Sequence, residues 1–226
     1  MKEAANLSRF AQIMTDFIGY SRDLVADHGG WFDKFMGDGF LAYWPCELYV
    51  NDSEPGATMS ELGNLLDTAC YRHWKGQGPN EYVSPPRAVE SAQAYGVASC
   101  LQVAEELVKS FQEVFIPQFR RTTRNFLSAT GLTAGVDIGE VLMVSMGDEL
   151  AIVGHPIVGA VRATGAGDKG EIIANTPVWA AVRNATGPDA ARAVAFINEA
   201  YRFSRRDIST KEYDQEAYAV TGNRKR

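Results

Sequence analysis

Long hydrophobic runs are missing from this chain. No stretch approaches the roughly 18–20 continuous apolar residues that a membrane span requires. The opening residues Met1 to Asn6 also lack the charged-then-apolar layout of a signal peptide. A cytoplasmic protein with no membrane partner is expected. Positive charge is in short supply too: 22 lysines and arginines stand against 28 aspartates and glutamates, for a net charge of −6. That balance argues against a broad nucleic-acid surface, and the basic end Asn223-Arg224-Lys225-Arg226 is long enough only for a solvated tail. Cysteine is scarce. Cys46, Cys70 and Cys100 are odd in number and irregularly spaced, and Cys70 with His73 lacks the second pair of ligands that completes a zinc site. Buried or free thiols are expected. Internal repeats and low-complexity tracts are absent as well.

What remains is enough for a real core. The 226 residues are 46% hydrophobic and 22% charged, which suits one domain with room for a sizeable insertion. Leu7, Phe10, Met14, Phe17, Leu24 and Val25 recur at helical spacing, with Ile13 and Ile18 widening the stripe. They predict a helix to about Asp27, stopped by Gly29-Gly30. Two aromatic-rich runs, Trp31 to Phe35 and Phe40 to Trp44, flank Gly37-Asp38-Gly39 and predict a β-hairpin. From Pro45 to Pro86, Gly, Pro, Asn and Ser become frequent, the mark of an insertion or long loop with room for one short helix near Leu62 to Tyr71. A long helix follows, with Ala94, Val97, Leu101, Ala104, Val108, Phe111 and Phe115 on one face, and Pro117 is expected to close it. Leu132 to Asp137 and Glu140 to Ser145 predict a second hairpin turning at Ile138-Gly139. A helix through Ala160, Val161 and Ala163 comes next, then a strand from Glu171 to Ala174. Helices at Pro177 to Asn184 and Asp189 to Asn198 and a last strand at Ala217 to Val220 complete an α+β pattern with a largely antiparallel sheet.

Asp38 holds the centre of the chemistry. A small turn presenting one carboxylate between two glycines suits Mg2+ or Mn2+, which take oxygen ligands, keep waters and share substrate phosphates. Asp-Gly is also the commonest pair for a tight hairpin turn, so the motif alone leaves both readings open.

The wider pattern is more specific. His28-Gly29-Gly30, Lys34, Gly37-Asp38 and Leu41-Ala42-Tyr43-Trp44 together resemble the helix–hairpin core of class III adenylate and guanylate cyclases. Gly135-Val136-Asp137-Ile138-Gly139-Glu140-Val141, Gly147 and Gly154 are similar to that family's dimer-facing hairpin and the loop behind it. Arg162 and Gly170-Glu171-Ile172 match the arginine and strand that close the pattern. The resemblance runs from about Leu7 to Val182 outside the insertion. It implies a single catalytic domain over residues 1–226, with the insertion at about 45–86, on a ferredoxin-like or palm-type sheet with helices packed on it. It further implies Asp38 as a metal ligand for Mn2+ or Mg2+, two ions per site in an intact member. Arg162 becomes the cation at the transition state, and Lys34 and Ala151 stand at the base-recognition positions. Lys211, seven residues before Tyr218, is the candidate for gripping the triphosphate, and reads equally as an exposed loop lysine. A head-to-tail homodimer is implied, with Asp38 from one subunit and Lys34, Ala151 and Arg162 from the other.

Two departures shape the expected activity. Family members begin with a strand ending in aspartate-x-x-glycine. Asp16-Phe17-Ile18-Gly19 copies that motif, but it lies 38 − 16 = 22 residues before Asp38, about half the family's interval, and inside the apolar helical stripe. The strand and its metal aspartate are therefore expected upstream of Met1. Either the start codon is assigned too late, or the chain is a truncated and inactive relative; without that strand its neighbours would keep unpaired edges and solubility would suffer. The second departure concerns the base. Ala151 replaces the aspartate that partners Lys34 in adenylate cyclases, and Val158 replaces the catalytic asparagine. Losing one of two paired hydrogen-bonding groups costs discrimination. The small stand-alone pyrimidine cyclases of Pycsar anti-phage defence systems depart at the same recognition position. That likeness points to UTP or CTP as substrate, cyclic UMP or cyclic CMP as product, and a separate cyclic-nucleotide-sensing effector. Trp31, Phe35 and Tyr43 could narrow a base pocket, or simply fill the core. A purine cyclase with altered contacts and an inactive nucleotide-binding or dimerisation homologue are the alternatives. The acidic balance counts against a polymerase-like nucleotidyltransferase.

Overall fold

The computed structural model describes residues 2–36, 39–46, 89–122, 131–146, 149–210 and 213–223. The expected insertion lies almost wholly outside the described residues. The chain divides into two units, one of Met1–Phe17, Ala104–Arg183 and Ala200–Arg226, the other of Ile18–Val103 and Asn184–Glu199.

Helix α1 (Lys2–Asp27) forms where the apolar stripe predicted it, and Ile13, Phe17, Leu24 and Val25 are buried. It ends as expected. The Gly29 and Gly30 amides donate to Ala26 and Val25 oxygens at 2.9 and 2.8 Å, and Gly29 takes the left-handed φ of 71° that favours glycine. In the second unit, β1 (Trp31–Met36) and β2 (Gly39–Tyr43) pair antiparallel. The hairpin is the one read from its aromatics.

The long helix does not stop at Pro117. Helix α2 (Val89–Ser110) runs into a π turn (Phe111–Phe115) and on into α3 (Ile116–Thr122). The Ile116 amide bonds back to the Phe111 carbonyl, five residues away. A proline inside a regular helix clashes with the preceding turn and lacks a donor; the widened turn just ahead of Pro117 accommodates it. In the first unit this segment gathers an aromatic cluster. Phe17 meets Phe111 and Phe115 edge-on at 5.0 Å between centroids, and Phe119 stacks obliquely on Phe10 at 5.3 Å. Phe119 is only 1% exposed. Phe119→Ala is expected to destabilise the protein by about 3–5 kcal/mol, measured by urea unfolding. A change within roughly ±0.5 kcal/mol, the range of surface substitutions, would remove this cluster from the core.

The first unit also carries a four-stranded sheet in the order β3-β6-β8-β7. Strand β3 (Ala134–Val136) lies parallel to β6 (Ile172–Asn175), while β6 pairs antiparallel with β8 (Tyr213–Gly222), and β8 with β7 (Tyr201–Thr210). Two of the three ladders are antiparallel. The expected hairpin between residues 132–137 and 140–145 is corrected: β4 (Leu142–Met146) pairs instead with β5 (Glu149–Val153). At the end of β3 the Asp137 carboxylate accepts the Ile138 amide at 2.8 Å. Helix α4 (His155–Ala166) then returns the chain across β3 and β6. Helices α5 (Thr176–Asn184) and α6 (Pro188–Ala200) follow as predicted. Strand β7 was not foreseen, since Arg202, Arg205, Arg206 and Asp207 mask the apolar alternation begun by Tyr201 and Phe203.

Candidate functional site

The hairpin of the second unit is held by its own side chains. The Trp44 indole N–H donates to the His28 carbonyl at 3.0 Å, which ties the strand end back to the close of α1. Phe32 stacks on Phe40 at 4.9 Å, and Phe35 reaches the same ring at 6.2 Å. Tyr43 donates its hydroxyl to Asp33 at 2.9 Å. Burial first, and then the Asp33 carboxylate, push the Tyr43 phenol far above its ordinary range, so it remains a donor. The aromatics of the hairpin are thus half-buried and engaged with one another. Lys34 is exposed in β1, within the register shift that separates Phe32 from Phe35. Asp38 lies outside the described residues.

The other candidates belong to the first unit. Ala151 sits in β5 opposite Val144. One glycine past that strand α4 begins, and it carries Val158 and Arg162 on successive turns. Val158 is 48% exposed; Val161 and the Arg162 residue are exposed beside it. Val158, Val161 and Arg162, spaced i, i+3 and i+4, share one exposed face of α4. Lys211 lies outside the described residues. Asp16 is within α1 and accepts a hydrogen bond from Gln12 at 2.8 Å, in keeping with a helical rather than a strand role. Among the described residues no three His, Cys, Asp or Glu side chains are grouped as a metal site. A single carboxylate completed by water and phosphate oxygens is a donor set that Mg2+ accepts. Among the described residues no helix is long and apolar enough to cross a membrane.

No family model and no curated protein matches the sequence. Solved structures do match. The adenylyl cyclase CyaB from P. aeruginosa superposes with a TM-score of 0.55 at 13% identity, covering 95% of this chain and 83% of that one. This chain has the cyclase catalytic-domain fold. The guanylyl cyclase Cya2 gives a TM-score of 0.49 at 15% identity over 97% of this chain and 84% of its own. The guanylate cyclase domain of RhGC from Catenaria anguillulae, in complex with GTP, gives 0.49 at 14% identity over 95% and 85%.

In this cyclase fold two polar groupings went unassigned in the sequence. Glu171, just ahead of β6, accepts the Asp168 amide at 2.7 Å and a charged hydrogen bond from Arg206 of β7. The Asp168 amide, with Arg206 adding to it, holds the Glu171 carboxyl below its ordinary range. The second grouping is Asp137 with Asn175, whose side-chain amide donates to Asp137 at 2.8 Å. Burial raises the Asp137 pKa, against the pull of the Asn175 and Ile138 donors. Asp137 was visible only as part of a glycine-rich motif, and Asn175 carried no sequence signal at all.

Proposed function

We propose that this protein is a nucleotidyl cyclase acting on a pyrimidine nucleoside triphosphate, UTP or CTP, to make a 3′,5′-cyclic nucleotide and pyrophosphate. The observation that carries the proposal is the cyclase catalytic-domain fold; the resemblance assigns residue 151 to base recognition together with Lys34, and that residue is an alanine. In the reaction the ribose 3′-oxygen attacks the α-phosphorus, loses its proton to solvent or base, and the bond to the pyrophosphate oxygen breaks. Charge grows on the phosphoryl oxygens, and Arg162 is the side chain to meet it, because a guanidinium stays ionised and grips two oxygens at once. Mn2+ or Mg2+, held by Asp38 with water and phosphate oxygens, would supply charge neutralisation at the phosphates. Lys34 approaches the base, with no carboxylate at residue 151 to complete a purine-selective pair, and Lys211 grips the triphosphate. The product would serve as a second messenger for a separate sensing effector in anti-phage defence.

A homodimer accords with the apolar surface of the first unit. Val141, Leu142 and Val153 are exposed at the paired ends of β4 and β5, Leu142 at 64%, and α4 adds Val158 and Val161. One second reading has an observation in its favour. Val158 cannot hydrogen-bond substrate, which suits a homologue that binds nucleotide and dimerises without turnover.

The test is product analysis with ATP, GTP, CTP and UTP, each in Mn2+, using the full chain together with any in-frame residues encoded before Met1. A cyclic pyrimidine is the expected product. A cyclic purine would remove the pyrimidine assignment and keep the cyclase. No product from any of the four by a folded dimer would establish the binding module.

A further inference from the structure

We propose that Asp137 and Asn175 form a positioning pair that seats α4, and through it Arg162, on the sheet. The role given to Arg162 rests on the cyclase reading above; the seat itself rests on geometry alone. Strands β3 and β6 run parallel with Val136 opposite Ala174, so Asp137 and Asn175 occupy the next rung at their carboxyl ends. Asn175 is 1% exposed, and its amide donates to one Asp137 oxygen at 2.8 Å while the Ile138 amide donates to the other at 2.8 Å. Both carboxylate oxygens are therefore committed.

Helix α4 crosses this rung at Gly159. A Cβ there would overlap the Asp137 carboxylate oxygen and lie 2.9 Å from the Asn175 amide nitrogen. Within the next turn and a half the helix backbone presses on β3. A Cβ on Gly135 would overlap the Ala160 carbonyl and approach the Thr164 amide nitrogen to 2.6 Å. The helix is thus pinned by close contact on both sides of Arg162, which lies three residues beyond Gly159 on the exposed face. Around the pair the interface is apolar, with Ala163, Ile173 and Ala174 all fully buried.

A well-packed apolar pair could supply comparable stability there without the desolvation cost of a carboxylate. What a directional amide–carboxylate pair adds is a fixed height and rotation for the helix above it. Misplacing a charge-stabilising group by about 1 Å costs on the order of 10²-fold in rate, so the seat would be felt in turnover before it was felt in binding. Asp137 and Asn175 are positioning residues. Neither is argued to touch substrate.

The swap of the two groups separates this role from simple packing. Asn175→Asp alone sets two carboxylates against each other, whereas Asp137→Asn alone leaves two amides that bond only after Asn175 turns its oxygen toward residue 137. In the double variant D137N/N175D the new amide oxygen still accepts from Ile138 and its nitrogen donates to the new carboxylate, so every bond is restored. In the full protein with Mn2+ and its triphosphate, Asn175→Asp is expected to lose about 10–100-fold in kcat and Asp137→Asn less, each with KM changed less than about threefold. The double variant should recover to within about threefold of the original. Amide hydrogen exchange over residues 155–166 should speed up in the single variants and slow again in the double. Unchanged kcat per folded molecule in Asn175→Asp, or a double variant as slow as Asn175→Asp, would overturn the pair. If a single variant does not fold, the double decides: folded and active supports the pair, unfolded overturns it. If the original protein makes no cyclic product, the cyclase reading fails on its own. Exchange then judges the seat: restored protection in the double supports it, and protection indifferent to all three variants overturns it.

Discussion

Asp38→Ala in the full chain is expected to bring cyclic-nucleotide formation down to the background seen without protein. A divalent ion at the reacting phosphates contributes several kcal/mol of charge stabilisation, and each 1.4 kcal/mol is about tenfold in rate, so the loss should be about 10³-fold or more. Asp38 is the carboxylate that the sequence sets between strands β1 and β2. Two measurements belong together here. Turnover in Mn2+ should vanish, while nucleotide binding measured without metal should persist, because the variant removes the proposed ion ligand and leaves the proposed cationic contacts. Turnover close to that of the unaltered protein would end the assignment of Asp38 to the metal.

Arg162→Ala is expected to lower kcat by about 10²–10³-fold, the cost of removing a preorganised group that meets developing charge. KM for the triphosphate should move by less than about threefold. The asymmetry follows from when the contact matters. Negative charge on the phosphoryl oxygens is greatest in the transition state, so a cation aimed at those oxygens binds the transition state better than the substrate. Arg162 is exposed on α4 and flanked by Val158 and Val161, a surface that would lose water readily under a nucleotide or a second subunit and so strengthen the charge contact. Arg162→Lys should recover little, since an ammonium cannot grip two oxygens in one plane. A variant with weaker binding and unchanged kcat would make Arg162 a ground-state anchor and nothing more.

Much of the fold could be read from the chain because its periodicities are local. The stripe through Ile13, Phe17 and Leu24 separates a helix from a strand without any partner, and that sufficed to reject Asp16 as a strand-borne metal ligand. The aromatics on either side of Asp38 and the glycine stop before them specify the hairpin in the same way. What escaped is set by partners far along the chain. The residues of β3 show no preference between a hairpin to residues 140–145 and a parallel ladder to β6, whose residues lie 38 positions further along the chain. Strand β7 was hidden because Arg206 faces Glu171, and a charge inside a strand breaks the alternation a reader looks for. Of the proposed site, Asp38, Lys34 and Arg162 were named by motif, whereas the contact of Gly159 with Asp137 was not, since a close approach of glycine to carboxylate leaves no periodic trace.

The π turn ahead of Pro117 couples two features of the chain that look independent. One extra residue in Phe111–Phe115 widens the helix, and the proline that follows sits where a regular turn would reject it. Deleting one residue from this stretch would restore an ordinary helix and keep the faces of α2 and α3 in phase, but it would strand Pro117 against a carbonyl. A deletion elsewhere in α2 would instead rotate every later side chain by about 100° and bring Phe119 out of the core. Length and proline at this point are therefore inherited together: a relative that lacks the extra residue should lack the proline as well.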